Sequence, residues 1–136
     1  LHGHNYRVYV DLDAPIGEHG LVIDFIRIKP IVREIVDALD EHWIVPGGHA
    51  ELVVDRCPGE HTEVRYRERF YAAPREDVLV LPMNNTSSEN LAAWIGRELM
   101  ARIRERFPAV ELERLWVAVE ETPGQRGHWC FQAKAT

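Results

Sequence analysis

An alternation that begins almost at the first residue constrains this chain more than any other feature. The even positions His2, His4, Tyr6, Val8, Val10 and Leu12 are aromatic or apolar, whereas Gly3, Asn5, Arg7, Tyr9, Asp11 and Asp13 are mostly polar. A period of two is the signature of a β-strand with one buried face. Such a face needs a second layer, and two amphipathic stripes offer it. Ile28, Ile31, Val32, Ile35, Val36 and Leu39 recur at helical spacing, as do Leu91, Trp94, Ile95, Leu99, Ile103 and Phe107.

The remaining pattern sets the order of elements. Pro15 to Gly20 reads as a turn, and Leu21 to Phe25 as the return strand of a hairpin. The first helix tolerates Pro30 in its opening turn and stops before Pro46-Gly47-Gly48. Residues 51–82 have a different texture: Thr62, Val64, Tyr66 and Phe70 alternate with Glu63, Arg65, Arg67 and Arg69, and Glu51 to Asp55 can pair with them across residues 56–60. Val78 to Leu81 is a further short strand. The run Asn84 to Asn90 supplies hydroxyls and a carboxylate where the second helix has free N–H groups. Leu115 to Glu121 and His128 to Ala133 close the chain as two strands joined by a turn. Helices that never separate parallel-type strands predict an α+β fold, an antiparallel sheet with both helices on one face.

Bulk properties narrow the function. At 136 residues the chain is one domain. Sixteen basic against twenty-two acidic residues give a formal charge of −6, which argues against a nucleic-acid partner. No apolar run is long enough for a membrane span. Cys57 and Cys130 make neither a disulfide framework nor a CxxC pair, so a reducing cytoplasm is the expected compartment. The pattern opens in mid-strand without an initiator Met, which reads as a chain truncated at its N-terminus, inside its own site.

Four groups of residues could carry chemistry. His2 and His4, two apart on one strand face, are either two histidines at a chain end or half of a transition-metal site, with zinc the usual occupant. Glu121 ends the apolar row Leu115, Val117, Val119. It is either a strand emerging into solvent or a carboxylate that receives a ligand's paired N–H donors. Glu120, on the other face, is expected to be solvated. Ser87, Ser88 and Glu89 cap a helix and can also hold a polar ligand. Asp40, Glu41 and His42 end the first helix as surface residues or as a proton-transfer unit.

His2-Gly3-His4-Asn5-Tyr6, then Gly20 to Phe25 followed by Ile28-Lys29, then Leu39-Asp40, Ser87 to Asn90 and Val117 to Thr122 resemble, in that order, the 6-pyruvoyl-tetrahydropterin synthase / 6-carboxy-tetrahydropterin synthase (QueD-like) family. The resemblance covers nearly the whole chain except about 45–80. It implies a tunnelling (T-) fold: a four-stranded antiparallel sheet with two helices on one face. Residues 1–136 would form a single such domain with an inserted β-hairpin within 51–82. Subunits would assemble as trimers or hexamers with sites between them.

The implied cofactor is Zn2+, held by His2, His4 and a third histidine upstream of residue 1, where the family's catalytic cysteine would also lie. The ion would act as a Lewis acid on the substrate's side-chain hydroxyls. Glu121 would anchor the pterin, and Ser87, Ser88 and Glu89 would line its pocket. Asp40 would form the proton relay, with Glu41 or a shifted His42 replacing the family's histidine. Cys57 and Cys130 do not match the catalytic cysteine and are expected to be structural. The implied reaction converts 7,8-dihydroneopterin triphosphate to 6-carboxy-5,6,7,8-tetrahydropterin, feeding queuosine-type biosynthesis. The alternatives are the 6-pyruvoyl-tetrahydropterin reaction and a non-catalytic pterin-binding paralogue. An unrelated zinc hydrolase would instead need a third ligand within the chain, such as His42 or His128.

Overall fold

The computed structural model describes residues 1–55 and 59–135. They form two compact units: Leu1–Ala38 together with the residues from Ser87 onward, and Leu39–Thr86. Among the described residues no helix is long and apolar enough to cross a membrane.

The first unit is built on an antiparallel sheet of three strands: β1 (Arg7–Asp13), β7 (Arg114–Thr122) and β8 (Gln125–Gln132), in the order β1-β7-β8. Its register sets Val8, Val10 and Leu12 opposite Val119, Val117 and Leu115, and β8 adds Gly127 and Trp129 to the Val119 and Val117 rows. Directly opposed residues share a face, so this is one continuous apolar surface, and Leu115, Val117 and Val119 are almost fully buried in it. Two helices belong to this unit, α1 (Phe25–Leu39, all but its last residue) and α2 (Ser88–Arg106). α2 packs across β7 and β8, and its buried stripe is Leu91, Ala92, Ile95, Gly96, Leu99 and Ile103. Two glycines permit the close approach. A Cβ at Gly96 would overlap the Trp129 ring, and one at Gly127 would overlap the backbone of Ser88 and Glu89. Arg106 on α2 bonds Glu34 on α1 at 3.0 Å, and Arg27 stacks on Phe107.

The four-stranded expectation is not met, because Leu21 to Phe25 is not a strand among the described residues. Leu21 turns its carbonyl back to the N–H of Gly17 at 2.8 Å, a loop that closes through Gly20 at φ +73°. Asp24 then accepts from the N–H of Ile26 at 2.9 Å and caps α1, which therefore starts earlier than the stripe suggested. An aspartate that can cap a helix competes with any strand through the same residues.

The second unit is a parallel pair, β2 (Trp43–Pro46) with β6 (Val78–Leu81), and an antiparallel meander β3 (Leu52–Asp55), β4 (His61–Tyr66) and β5 (Arg69–Pro74). The pairing of 51–55 with 61–66 follows the sequence reading, but the single strand expected through Phe70 is broken by a turn in which Arg67 takes φ 55°. Gly47 and Gly48 donate to Leu81 and Met83 at 2.9 Å, extending the parallel pair beyond the expectation of a wholly antiparallel protein. Val45, Thr62, Val64, Leu81 and Met83 are buried in this unit.

Candidate metal centre

The site lies at one end of the first unit's apolar sheet face. The ladder begins at Arg7 opposite Glu120, so His2 and His4 precede the strand that the alternation assigned to them. The His2 and His4 rings meet at 4.6 Å and the His4 and Tyr6 rings at 5.6 Å, each pair edge to face. Across from them, the register of β7 and β8 shifts between Glu120 and Thr122. The extra residue there is Glu121, which ends the apolar row Leu115, Val117, Val119.

Glu121 meets the histidines. One donor atom from each of His2, His4 and Glu121 lies within 4.8 Å of the others. His4 Nε2 is 3.1 Å from Glu121 Oε1, with the His4 side chain 20% exposed and that of Glu121 40%. The two atoms are in hydrogen-bond range but not in hydrogen-bond alignment, and His4 Nε2 is buried with no hydrogen-bond partner among the described residues. A buried, unpartnered ring nitrogen facing a carboxylate oxygen is costly unless a cation lies between them. Two imidazoles and a carboxylate are also a donor set that catalytic zinc accepts. The residues present therefore fit a metal ion. Beside them the Tyr6 hydroxyl is held above its ordinary pKa, first by burial and then by the negative charge of Glu121.

Glu120 is not the solvated residue that the alternation suggested. It is 7% exposed, accepts from Arg126 Nε at 3.0 Å and from the Gly124 N–H at 3.4 Å, and Arg126 also stacks on Tyr9. The hydrogen bond from Arg126 holds its carboxyl below the usual carboxylate range.

The Ser87 hydroxyl accepts from the N–H of Asn90 at 3.2 Å and caps α2. Ser88 and Glu89 form the first turn, whose backbone rests on Gly127. Gly127 is paired with Val119, two residues before Glu121, so the first turn of α2 and the carboxylate share one end of the sheet. Sequence reasoning passed over Gly127, although a glycine inside the β8 pattern was a visible signal of close backbone approach. It also gave Tyr6 no role.

Asp40, Glu41 and His42 belong to the second unit and are exposed. His42 Nδ1 lies 2.6 Å from the backbone carbonyl of Asp40, not from its carboxylate. An Nδ1–H donated there leaves Nε2 with a free lone pair, the arrangement of a general base. Glu41 takes φ 57°, in the left-handed region that ends helices and favours glycine. His128 cannot serve as a ligand beside Glu121, because it pairs with Ala118 on the opposite face of the sheet, against Trp116. The zinc hydrolase reading loses that candidate. Cys130 is an exposed free thiol rather than a packed structural one, and Cys57 lies outside the described residues.

Fold and site together define an α+β protein with a histidine–histidine–carboxylate centre at one end of an antiparallel sheet. The chain belongs to the 6-pyruvoyl tetrahydropterin synthase family, whose sequence model matches residues 1–129. It is 37% identical over 105 residues to a Methanocaldococcus jannaschii protein provisionally named a 6-carboxy-5,6,7,8-tetrahydropterin synthase, a match covering 76% of this chain and 64% of that protein. A Pyrococcus abyssi protein with the same provisional name is 28% identical over 116 residues, 85% of this chain and 68% of its own. The chain thus spans about two thirds of the length of these relatives. Among solved structures, Plasmodium vivax 6-pyruvoyltetrahydropterin synthase superposes with a TM-score of 0.89 at 28% identity, covering 97% of this chain and 82% of that one.

Proposed function

We propose that this chain forms the catalytic domain of a zinc-dependent pterin lyase that converts 7,8-dihydroneopterin triphosphate to 6-carboxy-5,6,7,8-tetrahydropterin, feeding deazaguanine (queuosine-type) biosynthesis. The observation that carries the reading is the meeting of His2 and His4 with Glu121 at one end of the sheet, in a chain whose archaeal relatives carry that provisional name. His2 and His4 would hold the zinc, which supplies Lewis-acid polarisation of hydroxyl or carbonyl oxygens.

The other roles fall to the chain's own groups. Glu121, at the end of the apolar row, would offer its two oxygens to the N–H and amino donors along one edge of a pterin ring. Ser87 orients the first turn of α2 by capping it, which leaves Ser88 and Glu89 as polar lining. His42, with Nδ1–H bonded to the carbonyl of Asp40, has Nε2 free to withdraw a proton from carbon. Glu41 takes the place where the family's relay histidine is expected, and its left-handed backbone turns the chain into His42. Assembly into a homo-oligomer, a trimer or hexamer, completes the proposal.

The experiment is incubation with 7,8-dihydroneopterin triphosphate and identification of products by mass. Acetaldehyde together with a carboxylated tetrahydropterin supports the lyase. A second reading, the 6-pyruvoyl-tetrahydropterin reaction, is favoured by the name of the Plasmodium vivax enzyme that superposes on this chain. It predicts triphosphate release with the carbon skeleton intact. Absence of any turnover rejects both.

A further inference from the structure

We propose that Glu121 is itself a protein ligand of the metal in the substrate-free protein, so that the metal and the pterin ring compete for one carboxylate. The metal half of this inference stands on the geometry. The pterin half rests on the function proposed above.

Three observations carry it. His4 Nε2 and Glu121 Oε1 are 3.1 Å apart without hydrogen-bond alignment. Two N/O ligands of one tetrahedral zinc, each at about 2.0–2.1 Å, are separated by about 3.3 Å, so the observed spacing is that of two donors sharing an ion. Second, Glu121 continues the buried row Leu115, Val117 and Val119, and one of its oxygens lies within 4.8 Å of a donor atom of each histidine. Third, the neighbouring carboxylate does not compete for the role, because Glu120 is committed to Arg126 and the Gly124 N–H on the other face. His2 is exposed, and its donor atom lies within 4.8 Å of those of His4 and Glu121.

The consequence is a linkage. A pterin edge needs both oxygens of Glu121 as acceptors, and an oxygen bonded to a metal offers less electron density to N–H donors. Binding either one therefore weakens the other by the same factor. The metal would be held most tightly in the empty protein and would lose a protein ligand when the ring enters.

Zn2+ affinity of the full chain is measured against a chromogenic chelator, with Co2+ absorption as a second readout of the donor set. Wild type is compared with Glu121→Gln, which keeps the shape and removes the charge. Unsubstituted pterin is the competitor, since it carries the ring edge but no side-chain hydroxyls, and its binding is followed separately by fluorescence. Glu121→Gln should weaken Zn2+ at least about tenfold, because even partners one shell further out cost 10–100-fold, and it should alter the Co2+ spectrum. Saturating pterin should weaken Zn2+ binding to wild type and leave Glu121→Gln unchanged. Equal Zn2+ affinity in the two proteins overturns the ligand role. A wild type that binds pterin with no loss of Zn2+ affinity overturns the competition. Failure of the function proposed above has a different signature: the metal and pterin effects persist while 7,8-dihydroneopterin triphosphate yields no product.

Discussion

Replacing Gly127 by alanine puts a methyl group where the backbone of α2 already is. The added Cβ would sit 2.8 Å from Ser88 Cβ and closer still to Ser88 C and Glu89 N. These are mostly main-chain atoms of a capped helix start, so no side-chain rotation relieves them. The first turn of α2 has to lift off β8. Overpacking of this kind costs about 1–3 kcal/mol, and the main-chain contact places Gly127→Ala near the upper end. Loss of glycine's freedom in the unfolded chain returns about 0.4–1 kcal/mol, which leaves a net destabilisation of about 2 kcal/mol. With a urea slope of about 2 kcal/mol/M, the unfolding midpoint falls by about 1 M. Gly96→Ala is the comparison. Its clash is with the Trp129 side chain rather than with backbone, and a helix interior gains about 1 kcal/mol when glycine becomes alanine, so its midpoint should fall less. Both variants are measured by urea denaturation at the same protein concentration, since association shifts apparent stability. A Gly127→Ala midpoint equal to or above wild type would refute the argument that the absent side chain sets the distance between α2 and β8.

Three further outcomes follow from particular residues. Glu41→Gly removes a side chain from a left-handed position and should raise stability by about 1 kcal/mol; a higher melting temperature with unchanged turnover, alongside a large loss in His42→Ala, assigns the proton transfer to His42 rather than Glu41. The folded-state pKa of Glu120 lies below its ordinary value, so the stability this pair contributes is fully present above the unfolded carboxylate pKa of about 4.3. It is lost as pH falls through the lower, folded value; Glu120→Gln should flatten that part of an acid-unfolding curve and leave the neutral-to-alkaline part with the same shape. Stripping metal with a chelator should lower the melting temperature, since an ion at about a hundred times its dissociation constant stabilises the folded state by about 2.7 kcal/mol; in His4→Ala the chelator should change nothing.

The elements that were legible in the sequence are those whose pattern is local. The two helical stripes, the row Leu115-Val117-Val119 and the Ser87 cap were all readable because helix and strand periodicities are carried by the residues themselves. The elements misread are those decided by competition. Leu21 to Phe25 has strand-forming residues, yet Asp24 spends its side chain on the α1 cap and Leu21 closes a loop on Gly17. The alternation through Phe70 hid the turn at Arg67, because a left-handed residue that is not glycine leaves no signal in the sequence. Glu120 looked solvated on alternation alone, and only the β7–β8 register showed Arg126 directly opposite it.

By itself the sequence determined the chemistry available at the site: two imidazoles two residues apart, a carboxylate at the end of an apolar row, a capped helix start. Those are properties of residue type and spacing. It did not determine that His4 and Glu121, 117 positions apart, would face each other at 3.1 Å. That required the β1–β7 register and the approach of the residues before β1 to the end of β7. Each of these is a long-range steric or hydrogen-bonding outcome. A ladder one residue out of step would have turned Glu121 to the opposite face, away from both histidines.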